Sequence, residues 1–286
     1  MIKLALTDLD NTLIAFGNER TSERGIEAFH AMMDAGLHVG PVTGRVPAAM
    51  RWMFRGDEAC ARTGAYVNGM IVYVDGEPIR TETIPGELLN GIGDFIRDID
   101  GAALAVCDLD RVTGSSDGEI SYLGATAEEL ARHDAFFGWS SYNVVDHLDW
   151  KSAIKTNLRC DLPSEQTVAL RDELCRAFPE LDFVFPLTGG PFIDIVPAGW
   201  GKGQAVELLI ECLGVTPDEV VAFGDSENDL AMLRAVGNPV AVGNAAADVK
   251  AASKWVLADA CEDPVPDALF DIAHAAVSGR MPAFMD

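Results

Sequence analysis

The chain has 286 residues, 49% of them hydrophobic and 23% charged, which suits a folded protein of about two domains and excludes a disordered, collagen-like or low-complexity chain. Its 21 Lys and Arg stand against 45 Asp and Glu, a formal net charge of −24 that disfavours nucleic acid and anionic membranes as partners. Any phosphate site must therefore create positive potential locally, from Lys, Arg, backbone N–H groups or a metal ion.

Ile2 to Thr7 is a short apolar run ending at Asp8, and Thr21 to Ala35 reads as an amphipathic helix closed by Gly36. Leu37 to Val42 repeats the strand signal, ends at Thr43-Gly44-Arg45 and leads into a helix over Val46 to Arg55. Between Met70 and Thr83, two β-rich stretches flank Asp75-Gly76, the signature of an antiparallel hairpin flap.

From Ile84 to Val196 the rhythm changes. Helices are expected at Gly86–Ile99, Ala127–Phe137 and Glu165–Phe178, and strands at Ala102–Cys107, Ala153–Cys160, Leu181–Phe185 and Phe192–Val196. The first rhythm then returns, with helices Lys202–Leu213, Asn228–Val236 and Ala245–Ala252 alternating with strands Val220–Phe223, Pro239–Val242 and Trp255–Leu257. The predicted fold class is α/β: a Rossmann-like parallel-sheet core from residues 1–83 and 197–286, with an inserted α+β domain over 84–196. The crevice at the carboxyl ends of the core strands is the expected ligand site.

No stretch approaches 18 uninterrupted apolar residues and the opening MIKLALTDLD lacks a leader pattern, so cytoplasmic residence without a membrane span is expected. The six cysteines, Cys60, Cys107, Cys160, Cys175, Cys212 and Cys261, form no C-x-x-C pair and are expected to be free, mostly buried thiols.

Four motifs carry chemistry. Asp8-Leu9-Asp10-Asn11-Thr12-Leu13 places two carboxylates at a strand terminus, where one can attack phosphorus and the other can manage protons; a solvated turn is the plainer alternative. A second copy, Asp108-Leu109-Asp110, lies in the insertion, lacks the Asn-Thr that follows Asp10, and is assigned to a turn. Thr43-Gly44 offers a hydroxyl and an exposed N–H to phosphate oxygens, with Arg45 nearby. Gly201-Lys202-Gly203 opens a helix and brings a cation, but Val196 and Gly203 rule out a P-loop. Gly224-Asp225-Ser226-Glu227-Asn228-Asp229 gathers hard oxygen ligands after a strand, which suits Mg2+ as well as a plain helix cap.

Taken in order, D-L-D-N-T-L, T-G-R, G-K-G and G-D-S-E-N-D resemble the haloacid dehalogenase superfamily, and specifically its Cof-type phosphatases with a large α/β cap. Val242-Gly243-Asn244-Ala245 is similar to the family's G-N-A loop, and Asn68-Gly69 to the N-G before its flap. The resemblance implies that Asp8 is the nucleophile and a Mg2+ ligand, and that Asp10 is the acid/base, ligating through its carbonyl. It further implies that Asp225 completes the metal ligands, that Thr43 and the backbone at Leu9 and Gly44 hold phosphoryl oxygens with Lys202 and Asn228, and that Asp229 supports from behind. Two positions depart from the family pattern: Asn11 stands where Gly is common, and Glu262-Asp263-Pro264-Val265 replaces an acidic-acidic-Gly-Val turn.

In the insertion, Lys151, Lys155 and Arg159 are read as surface charges, with an anionic substrate as the alternative. Trp139, Trp150 and Trp200 are read as packing residues, with stacking on a ring as the alternative. The expected function is a Mg2+-dependent phosphatase of small phosphorylated metabolites, sugar phosphates foremost. A phosphomutase and a catalytically silent binding protein are the competing readings.

Overall fold

The computed structural model describes residues 1–109, 119–133, 136, 142–186 and 189–285. The chain divides into two compact units, Met1–Thr81 with Gly201–Asp286, and Glu82–Trp200.

The first unit is built on a five-stranded parallel sheet. Its order is Trp255–Val256, Asn238–Ala241, Val220–Gly224, Leu4–Thr7 and His38–Pro41. Leu4–Thr7 and Val220–Gly224 are buried along their whole length, as continuous apolar runs covered by helices must be. Helix Glu23–Asp34 starts where Ser22 accepts the Gly25 N–H at 2.9 Å, and it packs on helix Pro264–Ser278. Helix Lys202–Leu213 packs on Leu230–Ala235 and ends at Gly214 in the left-handed conformation.

Register positions the chemistry. Thr7 lies opposite Phe223 on one side and Pro41 on the other, so the residues that follow all three strands emerge at one edge of the sheet. A three-stranded antiparallel flap, Gly64–Tyr66, Ile71–Val74 and Glu77–Thr81, joins that edge through a bridge between Val42 and Ala65. The turn at Asp75-Gly76 takes φ values of 53° and 90°, the double left-handed geometry that the Asp-Gly pair announces.

Helix Pro264–Ser278 was not expected from the sequence. Pro264 and Pro266 look like helix breakers, yet both lie in the first turn, where a missing N–H breaks no helical hydrogen bond. Asp263 before it adopts φ 57°, a left-handed residue at the start of the helix.

The second unit carries a six-stranded sheet. Its order is Leu181–Val184, Phe192–Pro197, Lys155–Cys160, Ala102–Asp108, Glu119–Leu123 and Tyr142–Val144, antiparallel except for the last pair. Helices Gly86–Ile96, Ala127–Arg132 and Ser164–Ala177 belong to this unit. Asp108 closes its strand, while Asp110 of the second Asp-Leu-Asp copy and Trp139 lie outside the described residues.

The surface reading of Lys155 and Arg159 is corrected here. They are 6% and 8% exposed, on a strand buried on both faces. Arg159 donates to the Tyr122 hydroxyl at 2.7 Å and to Asn157 at 3.3 Å, and Lys155 pairs with Asp194 at 3.5 Å. Burial is tolerated because each charged head finds a polar partner. Lys151 is exposed as expected. The thiols divide evenly: Cys60, Cys107 and Cys160 are buried, while Cys175, Cys212 and Cys261 are exposed. Among the described residues no helix is long and apolar enough to cross a membrane.

Candidate active site

Asp8 follows the strand Leu4–Thr7, and its N–H donates to Phe223 O at 2.9 Å, which locks it beside the end of Val220–Gly224. Lys202, the first residue of its helix, is buried and donates its ammonium to Asp8 Oδ1 at 2.6 Å and to Asp229 Oδ1 at 2.7 Å. Asp229 Oδ2 accepts the N–H groups of Asp225 and Ser226 at 3.0 and 3.1 Å, so both of its oxygens are engaged. Thr12 donates its hydroxyl to Asp225 Oδ1 at 2.9 Å. Among the described residues, the second oxygens of Asp8 and Asp225 accept no hydrogen bond.

Two glycines make this geometry possible. A Cβ on Gly224 would lie 2.7 to 2.9 Å from Asp229 side-chain atoms. Gly69, at φ 96°, meets Gly201 O where a Cβ would be only 2.6 Å away. The turn before it is strained: Val67 and Asn68 also have positive φ, 52° and 54°, which is uncommon for a β-branched residue. That turn brings Asn68 to Asn228, 3.5 Å apart, and against Gly44.

Thr43 is fully buried and is fixed by backbone bonds, donating to Ala65 O and accepting from the Asn68 N–H. Leu9 is buried; its carbonyl accepts from Thr12 and Ile14, and its own N–H donates to no acceptor among the described residues. Asp10 is held differently from Asp8. Arg45 grips its two carboxylate oxygens from Nε and Nη2, each at 2.9 Å, and both side chains are nearly half exposed. Asn228 Oδ1 accepts from the Ser226 hydroxyl at 2.9 Å. Asn244 donates to Asn11 O and accepts from the Ala260 N–H, tying the first loop to the C-terminal one.

The electrostatics follow from counting charges. Asp8, Asp225 and Asp229 bring carboxylate oxygens within 4.8 Å of one another, and one ammonium, Lys202, is buried among them. Burial pushes the Asp8 carboxyl well above its ordinary range; Lys202 opposes the shift, while Asp229, Asp225 and Asp10 add to it. Burial and Asp229 raise Asp225 to about 7, against the pull of Thr12 and Lys202. Burial alone would lower Lys202, but Asp229 and Asp8 outweigh it and the ammonium is held above its usual value. A divalent cation would remove the imbalance, and the open oxygens of Asp8 and Asp225 are the hard donors Mg2+ takes.

The structure brings Asp8, Lys202, Asp225 and Asp229 into one cluster, with Leu9, Thr43, Gly44 and Asn228 on the loops around it. Thr12 carries no role in the sequence motifs, although a hydroxyl four residues after Asp8 in a tight loop is the available signal, and the Arg45 grip on Asp10 is visible only in the structure.

A family model described as haloacid dehalogenase-like hydrolase matches residues 5–269. The chain belongs to the haloacid dehalogenase-like hydrolases. Among relatives in this family, one from Methanoculleus marisnigri named "Phosphoglycolate phosphatase" is 28% identical over 256 residues, 90% of this chain and 90% of its own length. A Bacteroides thetaiotaomicron structure described among phosphatases of the haloalkanoate superfamily superposes with a TM-score of 0.76 at 23% identity, covering 94% of each chain. Some likenesses are local. An Arabidopsis thaliana protein named "Endoribonuclease YBEY, chloroplastic" is 41% identical over 81 residues, 28% of this chain and 14% of that one.

Proposed function

We propose that this hydrolase is a Mg2+-dependent phosphatase of small phosphorylated metabolites, sugar phosphates among them, working through an aspartyl-phosphate on Asp8. The observation that carries the reading is the charge imbalance of the buried cluster: Lys202 faces Asp8, Asp225 and Asp229, and Asp8 keeps one oxygen open. Asp8, Asp225 and the Asp10 carbonyl would hold Mg2+, which when bound supplies positive charge to the phosphoryl oxygens.

Asp8 attacks phosphorus with the oxygen that Lys202 holds, its open oxygen being the one that would meet Mg2+; the new O–P bond forms as the bond from phosphorus to the leaving alcohol breaks. Asp10 gives a proton to that leaving oxygen and later takes one from the water that attacks the aspartyl-phosphate, releasing inorganic phosphate and restoring Asp8. Lys202 orients Asp8 and offsets its charge. The Thr43 hydroxyl, the N–H groups of Leu9 and Gly44 and the Asn228 amide hold the phosphoryl oxygens. Substrate choice is assigned to the inserted unit Glu82–Trp200. The name of the M. marisnigri relative, which the chain matches over most of its length, supports a small phosphate monoester as substrate.

The test is inorganic phosphate release from sugar phosphates, phosphoglycolate, nucleotides, pyridoxal phosphate and an aryl phosphate, with Mg2+ or chelator, for wild type and Asp8→Asn. Mg2+-dependent release that falls by about three orders of magnitude or more in Asp8→Asn is expected. Substrate rearrangement without phosphate release would redirect the reading to a mutase, and no turnover at all to a silent binding protein.

A further inference from the structure

One other group of described side chains, away from the Asp8 cluster, collects three different metal-binding donors. His30 comes from helix Glu23–Asp34, Asp57 caps the short 3-10 turn Glu58–Ala61, and Cys60 lies within that turn. Their imidazole nitrogen, carboxylate oxygen and sulfur all fall within 4.8 Å of one another. We propose that His30, Asp57 and Cys60 form a second cation site that takes one borderline transition-metal ion of the Zn2+ class.

The donor set selects the ion. Nitrogen, oxygen and thiolate sulfur together suit Zn2+ and Co2+, whereas Mg2+ prefers oxygen alone, so the two clusters of this chain are chemically distinct. The site is also partly arranged in advance. Asp57 Oδ1 is occupied by the Ala59 N–H at 3.1 Å, which turns Oδ2 toward His30 Nε2, 2.7 Å away. Cys60 is 1% exposed and fixed in the core, while the side chains of His30 and Asp57 are 44% and 29% exposed and leave a way in from solvent. Tetrahedral coordination separates such donors by about 3.3 to 3.6 Å, so the His30–Asp57 pair opens slightly and Cys60 closes toward it by side-chain rotation.

The proton balance is simple. The thiol of Cys60 is pushed up to about 12 by burial and by Asp57, so it is protonated in the metal-free protein. Binding forms the metal–sulfur bond and releases that proton to solvent; the Nε2–H that His30 donates to Asp57 in the metal-free protein is given up as well, and the ring keeps its N–H on Nδ1 so that Nε2 can meet the ion. The ion would fasten helix Glu23–Asp34 to the turn Glu58–Ala61, with water filling the open position on the solvent side.

The experiment is a Co2+ titration of the metal-free full chain followed by near-ultraviolet and visible absorption. The oxygen donors around Asp8 cannot give a sulfur-to-cobalt charge-transfer band, so this signal reports a thiolate site alone. One equivalent of Co2+ is expected to develop the band, and Zn2+ to abolish it by displacement. Cys60→Ala should lose it. His30→Gln, a partly exposed position whose fold is checked by circular dichroism, should weaken Co2+ binding by about tenfold or more. The band should persist when the exposed Cys175, Cys212 and Cys261 are changed to Ser, and in Asp8→Asn. Absence of the band at one equivalent overturns the proposal, as does a band that survives Cys60→Ala or is undiminished in His30→Gln.

Discussion

Asp229 divides its two carboxylate oxygens between Lys202, whose ammonium lies 2.7 Å from one, and the N–H groups of Asp225 and Ser226, which donate to the other. The residue is fully buried, so it fixes the cation and the acidic loop with the same side chain. Asp229→Ala would leave Lys202 dependent on Asp8 and would strand two backbone donors. We expect phosphate release to fall by about 100-fold or more and the Mg2+-loaded protein to lose about 3 kcal/mol, the usual consequence of breaking a buried ion pair from one side. Steady-state kinetics and urea denaturation with Mg2+ present measure both. Unchanged kinetics would remove Asp229 from the catalytic arrangement.

The crowded carboxylates make stability depend on pH and on metal together. Asp225 stands at about 7 in the folded chain against an ordinary 3.8. The folded state therefore binds more protons than the unfolded state between these values, and its stability falls as pH rises from about 4 through about 7. For the metal-free protein this group alone should contribute a loss on the order of a few kcal/mol across that window. Mg2+ should reverse the trend, because ionised carboxylates bind it, and its apparent affinity should rise through pH 7. Asp225→Asn should flatten the metal-free pH dependence and abolish the Mg2+-induced rise in Tm. Thermal melts from pH 4 to 8, with Mg2+ and with chelator, decide the matter. A metal-free wild type that gains stability from pH 5 to 8 contradicts the assignment.

Gly69 tests how closely the flap turn must approach the helix that carries Lys202. Its φ is 96°, and an added Cβ would stand 2.6 Å from Gly201 O and 3.0 Å from Ala205 Cβ. Gly69→Ala meets both a left-handed backbone and rigid neighbours, and backbone atoms cannot swing aside as a flexible side chain can. A loss of about 2 to 4 kcal/mol is expected, with kcat reduced because the N-terminus of the Lys202 helix must shift. Gly36→Ala supplies the control: its φ is 74° but nothing lies within 4 Å of the added Cβ, so it should cost about 1 kcal/mol and leave kcat unaltered.

Much of this arrangement was legible in the chain because strand ends in a parallel sheet share an edge. Once Leu4–Thr7 and Val220–Gly224 are read as buried parallel strands, Asp8 and Asp225 have few places to go. Lys202 could be placed at a helix start by the flanking glycines. Pairings set by tertiary approach were less legible. Lys155, Asn157 and Arg159 fall at alternate positions of a strand and read as a polar face, and only the covering of both sheet faces shows that the heads of Lys155 and Arg159 are buried beside Asp194 and Tyr122. Helix Pro264–Ser278 was hidden by prolines whose harm depends on their position in the first turn.

The grip of Arg45 on Asp10 belongs to the same class, since 35 residues separate the pair in the chain. Both side chains are nearly half exposed, at 42% and 46%, so the pair should contribute at most about 1 kcal/mol to stability. Its effect on catalysis should be larger. In the proposed mechanism one oxygen of Asp10 must carry a proton, so Arg45 has to release at least that oxygen, and the freed guanidinium is then available to the incoming phosphate. Arg45→Ala should raise KM by about tenfold while moving Tm by no more than about 3 °C, because the positive potential near the phosphate site falls without disturbing the core. Arg45→Lys keeps the charge and loses the fork, and should restore most of KM. Steady-state kinetics at several ionic strengths, set beside melting curves, separate the two roles. An Arg45→Ala variant that loses stability with KM unchanged would make the grip on Asp10 purely structural.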